Sequence, residues 1–537
     1  MVPLSERTVL GVLQRAAKDV PERAAVIDEE QELTYADLLD QSLIAGGTFR
    51  SLGVEHQQPV MLMLDNHIDH ALAWFGLSCT GAVEVPINTA FKGPQLSYIA
   101  NHCQAEILVI EAEYLPRLQA EIDDLRDTLT HVIVRGEPDA ELVSSLPFEV
   151  LDFSVLRKGP IASTVDVQPW DLLGIMYTSG TTGRSKGVEV TQAQTYGRMW
   201  PLEIGAAAAG DVTLVTLPLY HVIGQCRGLY NTLIAQGTAV IERRFSASGF
   251  WDTCRRHGVT YVPLVGAQAT YLLRQPVHPD DRDNPVERMC FGTTIPEVDE
   301  FRQRFDVQLT CSYGLTEAGG VLVGRAESQG CGWLRSDFEG RLVDDHDVEV
   351  TAGDTGELVL RSTEPWAVMA GYHRMPDATA EKWRNLWLHT GDLMFQRDDG
   401  MFIFVDRKAD SIRIRGENVS SFEVEQAILE HPDVHDCAVV PIAGDSGESD
   451  HEIKAVIVPS SANRPDEGGI IAFLADRLPY YSVPRYLEFR TELPRTESTQ
   501  RVKKALLTDT EPDGAWDRVA AGFVVTRDGL EGPSERS

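Results

Sequence analysis

Lysine is scarce in this chain of 537 residues: nine lysines stand against 39 arginines. Positive charge as a whole is in deficit, with 48 Lys and Arg facing 81 Asp and Glu, for a formal charge of −33. A surface this acidic repels phosphate backbones and anionic lipid, which argues against nucleic acid and membrane surfaces as partners. Any anionic ligand must then be met by a local set of donors, so each lysine is worth placing. Cysteine pairs are missing as well. Cys79, Cys103, Cys226, Cys254, Cys290, Cys311, Cys331 and Cys437 form no CxxC pair and have no histidine at finger spacing. That argues against a zinc module or a disulfide framework and fits core thiols in a reducing cytoplasm. No apolar run reaches membrane-spanning length. The N-terminal segment carries charge throughout and lacks the apolar stretch of a secretory signal, so a cytoplasmic protein is expected.

What is present is a long alternation of short apolar runs and helical patterns. PVMLML (59–64), AEILVIEA (105–112), HVIVRG (131–136) and VTLVTLPL (212–219) read as strands, and the stretch around His70–Gly81 reads as a helix. This alternation predicts α/β layering with parallel sheets. Near Asp392 the pattern changes. Asp398-Asp399-Gly400 marks a hairpin turn, SIRIRG alternates like a half-exposed strand, and a helix is expected over Phe422–Leu429 with Ser420 or Ser421 as its cap. Strand-like DCAVVPIA and EIKAVIVP and a helix near Gly469–Leu478 follow. Together they predict a separate α+β domain of about a hundred residues.

One segment stands out chemically. Tyr177-Thr-Ser-Gly-Thr-Thr-Gly-Arg-Ser-Lys-Gly187 follows a strand-like run and combines glycines, hydroxyl side chains and a lysine. Glycine lets successive backbone N–H groups turn toward one point, hydroxyls add donors, and the lysine adds charge. The spacing is not that of a Walker A loop, because counting from Gly180 puts Ser185 at the second glycine position, and Gly187 rather than Ser or Thr follows Lys186. A Gly/Ser/Thr loop alone reads as a surface turn; this ordered set with a lysine reads as a phosphate cradle.

Here the chain resembles the adenylate-forming superfamily of acyl-CoA synthetases, adenylation domains and beetle luciferases, over roughly residues 5–508. Further motifs match in order: Leu217-Pro-Leu-Tyr-His221-Val-Ile-Gly224, Ser312-Tyr-Gly-Leu-Thr-Glu317, Gly356-Glu-Leu, His389-Thr-Gly-Asp392, Asp406-Arg407 and Ile414-Arg-Gly416-Glu-Asn-Val. The last of these is closest to the carnitine- and crotonobetaine-CoA ligase branch. The resemblance implies a large α/β domain over residues 1–406, a hinge at 407–409, a small rotating α+β domain over 410–508 and a partly disordered acidic tail over 509–537.

It also implies roles. Thr178, Ser179, Gly180, Thr181, Thr182, Gly183 and Lys186 would cradle the β- and γ-phosphates of ATP. Glu317 would hold Mg²⁺ and Thr316 would meet the α-phosphate. Tyr313 and Gly314, with Phe291-Gly-Thr293-Thr294, would bracket adenine. Asp392 would accept the ribose hydroxyls, and Arg407 would touch phosphate or ribose from the hinge. His221, which alone reads as an ordinary core histidine, would lie near the acyl carboxylate. Gly416 would admit the pantetheine arm of coenzyme A for the second step. The usual hinge Asp or Lys is replaced by Ala409.

The pattern breaks at the C-terminal segment, where the family's PRT-x-TGK places the lysine that bridges carboxylate and α-phosphate. This chain reads Leu493-Pro-Arg-Thr-Glu-Ser-Thr-Gln-Arg-Val-Lys-Lys504. An ungapped count puts Gln500 at the lysine position; one inserted residue puts Arg501 there, with Val502 as the following apolar residue, and that register is preferred. Lys503 and Lys504 then fit downstream basic positions. Arginine is a broad planar fork rather than a compact ammonium, so it is no simple substitute.

The resulting expectation is an acyl-CoA ligase that forms a thioester from an acyl-adenylate and CoA, with adenylation impaired and a separate adenylating enzyme as partner. A complete ATP-dependent synthetase, with Arg501 or Lys503 serving as the cation, is the main alternative. A carrier protein as acceptor and a non-catalytic AMP-binding protein are others. The acyl pocket is expected along Tyr220–Gln225, Val262–Ala267 and Phe291–Ile295, where Gly224, Val265, Gly266 and Ala267 suggest room for a bulky specialised-metabolite acid of the kind used in antibiotic biosynthesis. A homodimer is the default assembly.

Overall fold

The computed structural model describes residues 2–532 apart from 163–164, 179–184, 198–205, 293, 296, 328–329, 409–411, 415–416, 445–446, 461–464, 496–501, 509–513 and 527–528. The chain divides into two compact units. The first comprises Met1–Gly340, Leu360–His389 and Arg397–Ile403. The second comprises Arg341–Val359, Thr390–Gln396 and Phe404–Ser537.

The first unit is α/β, as the alternation predicts. One sheet runs in the order Gly371–Tyr372, Lys186–Thr191, Leu172–Thr178, Val83–Pro86, Pro59–Met63, Ile107–Glu111, His131–Arg135 and Glu149–Asp152. Its pairings from Leu172–Thr178 through to Glu149–Asp152 are parallel. Strands Val83–Pro86 and Ile107–Glu111 are buried along their whole length, because helices cover a parallel sheet on both faces. Helix Ile68–Cys79 is likewise buried throughout, so its apolar surface runs all round rather than along one stripe. A second sheet orders Gly330–Leu334, Gly319–Arg325, Gln308–Leu315, Arg288–Phe291, Tyr261–Leu264, Val212–Val215, Thr238–Ile241, Ala24–Ile27 and Glu32–Thr34.

The second unit carries a sheet ordered Val434–Gly444, Gly447–Pro459, Tyr486–Phe489 and Trp516–Asp517. Its core includes Ile412, Val424, Ile428, Val439, Ile457, Ile471, Leu474 and Leu487. The expected helix spans Ser421–Leu429. The Ser420 hydroxyl donates to the Val405 carbonyl at 2.9 Å. The first helical N–H, that of Ser421, donates to the Asp406 carboxylate at 2.7 Å. That carboxylate, fifteen positions earlier in sequence, thus satisfies a donor at the start of the helix. The acidic tail, expected to be partly disordered, sends Trp516–Asp517 antiparallel to Tyr486–Phe489, and the Trp516 and Phe523 rings lie 5.6 Å apart. Among the described residues no helix is long and apolar enough to cross a membrane.

Candidate nucleotide and acyl site

The stem of the phosphate loop is an antiparallel pair. Tyr177 pairs with Gly187 and Thr178 with Lys186, and the Thr178 hydroxyl donates to the Lys186 carbonyl at 3.5 Å. Ser179, Gly180, Thr181, Thr182 and Gly183 lie outside the described residues, as do Thr293, Ala409, Gly416, Gln500 and Arg501. Ordered contacts brace the stem. The Tyr98 hydroxyl donates to the Ser185 carbonyl at 3.0 Å, and His102 Nδ1 lies 2.7 Å from the Tyr177 hydroxyl. His373 Nδ1 sits 2.8 Å from Glu189 on the returning strand.

Lys186 places its ammonium 5.1 Å from the centre of the Tyr372 ring. The Tyr372 hydroxyl donates to Glu317 Oε1 at 2.6 Å. Burial, reinforced by the Glu317 carboxylate, pushes that phenol far up, so it stays protonated and acts as a donor. Lys382 approaches the same carboxylate oxygen at 3.8 Å. The sequence motifs thus bring Lys186 and Glu317 together through a residue that none of them contains. Tyr372 was not legible because its link to Glu317 spans 55 positions.

No group of three or more His, Cys, Asp or Glu able to hold a metal occurs among the described residues. One carboxylate whose protein partners both address Oε1 suits Mg²⁺, which takes one or two carboxylates, several waters and substrate phosphates rather than an all-protein cage. Glu317 would hold the ion, which would neutralise phosphate charge.

Tyr313 and Gly314 sit at a register shift between strands Gln308–Leu315 and Gly319–Arg325. A Cβ on Gly314 would stand 2.1 Å from the Gly319 carbonyl oxygen, so only glycine fits this crossing. Thr316 follows at the turn, and its carbonyl accepts from the Gln194 side chain at 3.4 Å. Thr294 lies just beyond strand Arg288–Phe291 in the same unit.

His221 ends a turn closed by its N–H donating to the Pro218 carbonyl at 3.0 Å, and its carbonyl accepts from Gln225 N–H at 2.9 Å. Burial pushes its imidazole down to about 4. The ring is therefore neutral at working pH, and an acid limb near pH 6 would not come from it. The pH profile of kcat/KM above pH 5 is expected to keep its shape in His221→Ala while falling in height. A shifted acid limb would overturn this. Gly224, expected to make room for an acyl group, is also required by the turn: its Cβ would stand 2.2 Å from the Pro218 carbonyl oxygen.

The second unit holds Asp392 and Arg407. Asp392 is buried, and Arg407 Nε lies 3.1 Å from its Oδ1. The preceding Gly391 adopts φ +79°, a conformation glycine takes at no steric cost. Its N–H donates to Glu357 Oε1 at 3.0 Å and its carbonyl accepts from Lys408 N–H at 2.9 Å. The Lys408 ammonium returns to Glu357 Oε2 at 3.0 Å, which closes the ring of contacts around the turn. Glu357 of the Gly-Glu-Leu motif is thus the clamp for the Thr-Gly-Asp motif.

The C-terminal segment of this unit is pinned as well. Arg495 forms a β-bridge with Val502, and its guanidinium pairs with Asp436. Val502 packs against Ala438, Val440, Val456, Val458, Leu493 and Leu507. Lys503 donates its N–H to the Pro494 carbonyl at 2.7 Å and exposes its side chain. Lys504 turns inward, 2.6 Å from the Ser421 hydroxyl and 2.8 Å from Glu425.

The sequence profile described as AMP-binding enzyme matches residues 13–373, and that of the AMP-binding enzyme C-terminal domain matches 423–500. The chain belongs to the AMP-binding enzyme family, in its adenylate-forming acyl-CoA ligase branch. This AMP-binding enzyme is 31% identical over 491 residues to a crotonobetaine/carnitine–CoA ligase of Salmonella heidelberg (strain SL476), covering 89% of this chain and 93% of that one. Its fold is that of an anthranilate CoA ligase solved with anthranoyl-AMP, at TM-score 0.82 and 24% identity over 93% of this chain and 96% of that one. A benzoate CoA ligase from Burkholderia xenovorans LB400 gives TM-score 0.81 at 21% identity, over 94% of this chain and 100% of that one. The α/β unit with a smaller C-terminal α+β unit is therefore the architecture the motifs implied.

Proposed function

We propose that this enzyme forms an acyl-CoA thioester from an acyl-adenylate and CoA, and that its own adenylation step is slowed because Arg501 stands where the family has lysine. In the first half-reaction a carboxylate oxygen attacks the α-phosphorus of ATP and pyrophosphate leaves. In the second, the CoA thiol loses its proton, the sulfur attacks the acyl carbonyl and AMP leaves. Both need donors aimed at charge that develops in flight. Lys186, Thr316 and Glu317 with its cation would serve the phosphates, Asp392 the ribose, His221 the acyl carboxylate and Gly416 the pantetheine arm. A separate adenylating enzyme would supply the intermediate.

The observation that carries the reading is the packing of Val502. A partly buried apolar residue packed against the core at that point supports the register with one insertion, in which Arg501 would answer to the family's lysine. Lys504 is engaged by Ser421 and Glu425, which argues against its standing in. The relatives act on crotonobetaine, carnitine, anthranilate or benzoate by name. A small carboxylic acid is accordingly the proposed acyl class. The test gives the purified protein acids with ATP and CoA, and separately their synthetic adenylates with CoA alone. Thioester from the adenylates alone, or at a rate ~10²-fold higher from them, is the expected result. Equal rates from both would make the enzyme a complete synthetase.

A further inference from the structure

Behind the histidine segment lies a buried cluster of polar side chains. His70 and Trp74 stand one turn apart on helix Ile68–Cys79, Glu84 lies on strand Val83–Pro86, and Gln225 and Tyr230 lie on the helix Ile223–Tyr230. That last helix is π-wound, a form concentrated at functional sites. Gln225 Nε2 donates to Glu84 Oε2 at 2.7 Å. His70 Nε2 faces Glu84 Oε1 at 3.8 Å, and the Trp74 and Tyr230 rings meet edge-on at 5.9 Å. All five residues are at most 1% exposed.

His70 Nδ1 lies 3.2 Å from the Asp65 carbonyl, which can only accept, so Nδ1 carries a hydrogen. Glu84 Oε1 and His70 Nε2 both lack a hydrogen-bond partner. Burial raises the affinity of the Glu84 carboxyl for a proton.

The segment carrying His221 hangs between two side chains. Asn66 holds its start: its amide donates to the Leu217 carbonyl at 3.0 Å and its Oδ1 accepts from Leu219 N–H at 2.7 Å. Glu84 holds its end through Gln225, whose N–H already donates to the His221 carbonyl. We propose that Glu84, together with Asn66, is a positioning residue that fixes the backbone of Leu217–Gln225 and so aims His221 at the acyl carboxylate. The proposal rests on the reading of His221 given above.

Glu84→Gln keeps an acceptor for Gln225 and gains an N–H for His70. Glu84→Leu keeps the bulk and removes both. Kcat/KM for the acyl substrate is expected to stay within about threefold in Glu84→Gln and to fall by ~10²-fold in Glu84→Leu, since misplacement by about an ångström costs that much. AMP affinity, measured by calorimetry, should not change. Amide hydrogen exchange on the unliganded full chain should show protection lost in Leu217–Tyr230 for Glu84→Leu and kept for Glu84→Gln. Gln225→Leu should reproduce the Leu pattern if Glu84→Leu does not fold. Unchanged exchange and rate in the Leu variants, or equal damage in Glu84→Gln, would overturn the proposal. If the wild type makes no thioester while exchange still separates Gln from Leu, the functional reading fails and the positioning stands.

Discussion

Arg501→Lys is expected to raise adenylation, read as pyrophosphate exchange with acid and ATP, by ~10²-fold, the worth of one well-placed transition-state donor. Thioester formation from a synthetic adenylate should change by less than about threefold, because the resemblance gives that residue no part in the second step. A compact ammonium can bridge a carboxylate oxygen and an α-phosphate oxygen at once, whereas a guanidinium spreads its donors over a plane and needs more space. The contrast between the two half-reactions gives the prediction its force: a change in folding or nucleotide affinity would move both. Gln500→Lys serves as the control for register. If it, and not Arg501→Lys, restores exchange, the inserted residue lies elsewhere. If neither does, the loss of the first step has another cause or has not occurred.

Lys504→Met is expected to destabilise the second unit by about 3–5 kcal/mol, the usual penalty for removing one partner of a buried charge set. Lys504 meets Glu425 at 2.8 Å and the Ser421 hydroxyl at 2.6 Å, and that hydroxyl also donates to Asp406 at 3.0 Å. Glu425 accepts from Val439 N–H at 2.8 Å as well. Burial raises both carboxyls, and the Lys504 charge opposes it. A carboxyl raised on folding costs stability as pH rises through its folded value, because the unfolded chain gives up the proton more readily. Without Lys504 that rise is larger. The variant's deficit against wild type should therefore widen from pH 5.5 to pH 8 in thermal melts of the full chain. A deficit independent of pH would mean that the lysine acts through packing alone.

Much of the fold was legible because it rests on local pattern. The apolar runs at 59–64 and 131–136 became strands, and Asp398-Asp399-Gly400 became a turn with Gly400 at φ +83°. What stayed hidden was long-range pairing of polar residues. Nothing in the sequence joins Glu357 to Gly391 or Tyr372 to Glu317, because each link depends on how separate strands align. Asp406 read only as a hinge residue, yet its carboxylate satisfies a donor at the start of a helix. Glu84 carried no signal in the sequence, since periodicity records exposure and not hydrogen bonding. Composition alone could not say which part of the tail docks; Trp516 packs against the unit's core with the Phe523 ring beside it.

The bridge between Arg495 and Val502 has a consequence for how such an enzyme can diverge. One end is tied to Asp436 and the other packs against Val440, Leu493 and Leu507, so both anchors of this stretch lie outside the six residues between them. Substitution within those six leaves both anchors in place. On the reading proposed above, a lineage could thus lose or regain the first half-reaction through a few codons, and an engineer could graft a lysine-bearing segment from a complete synthetase in a single step.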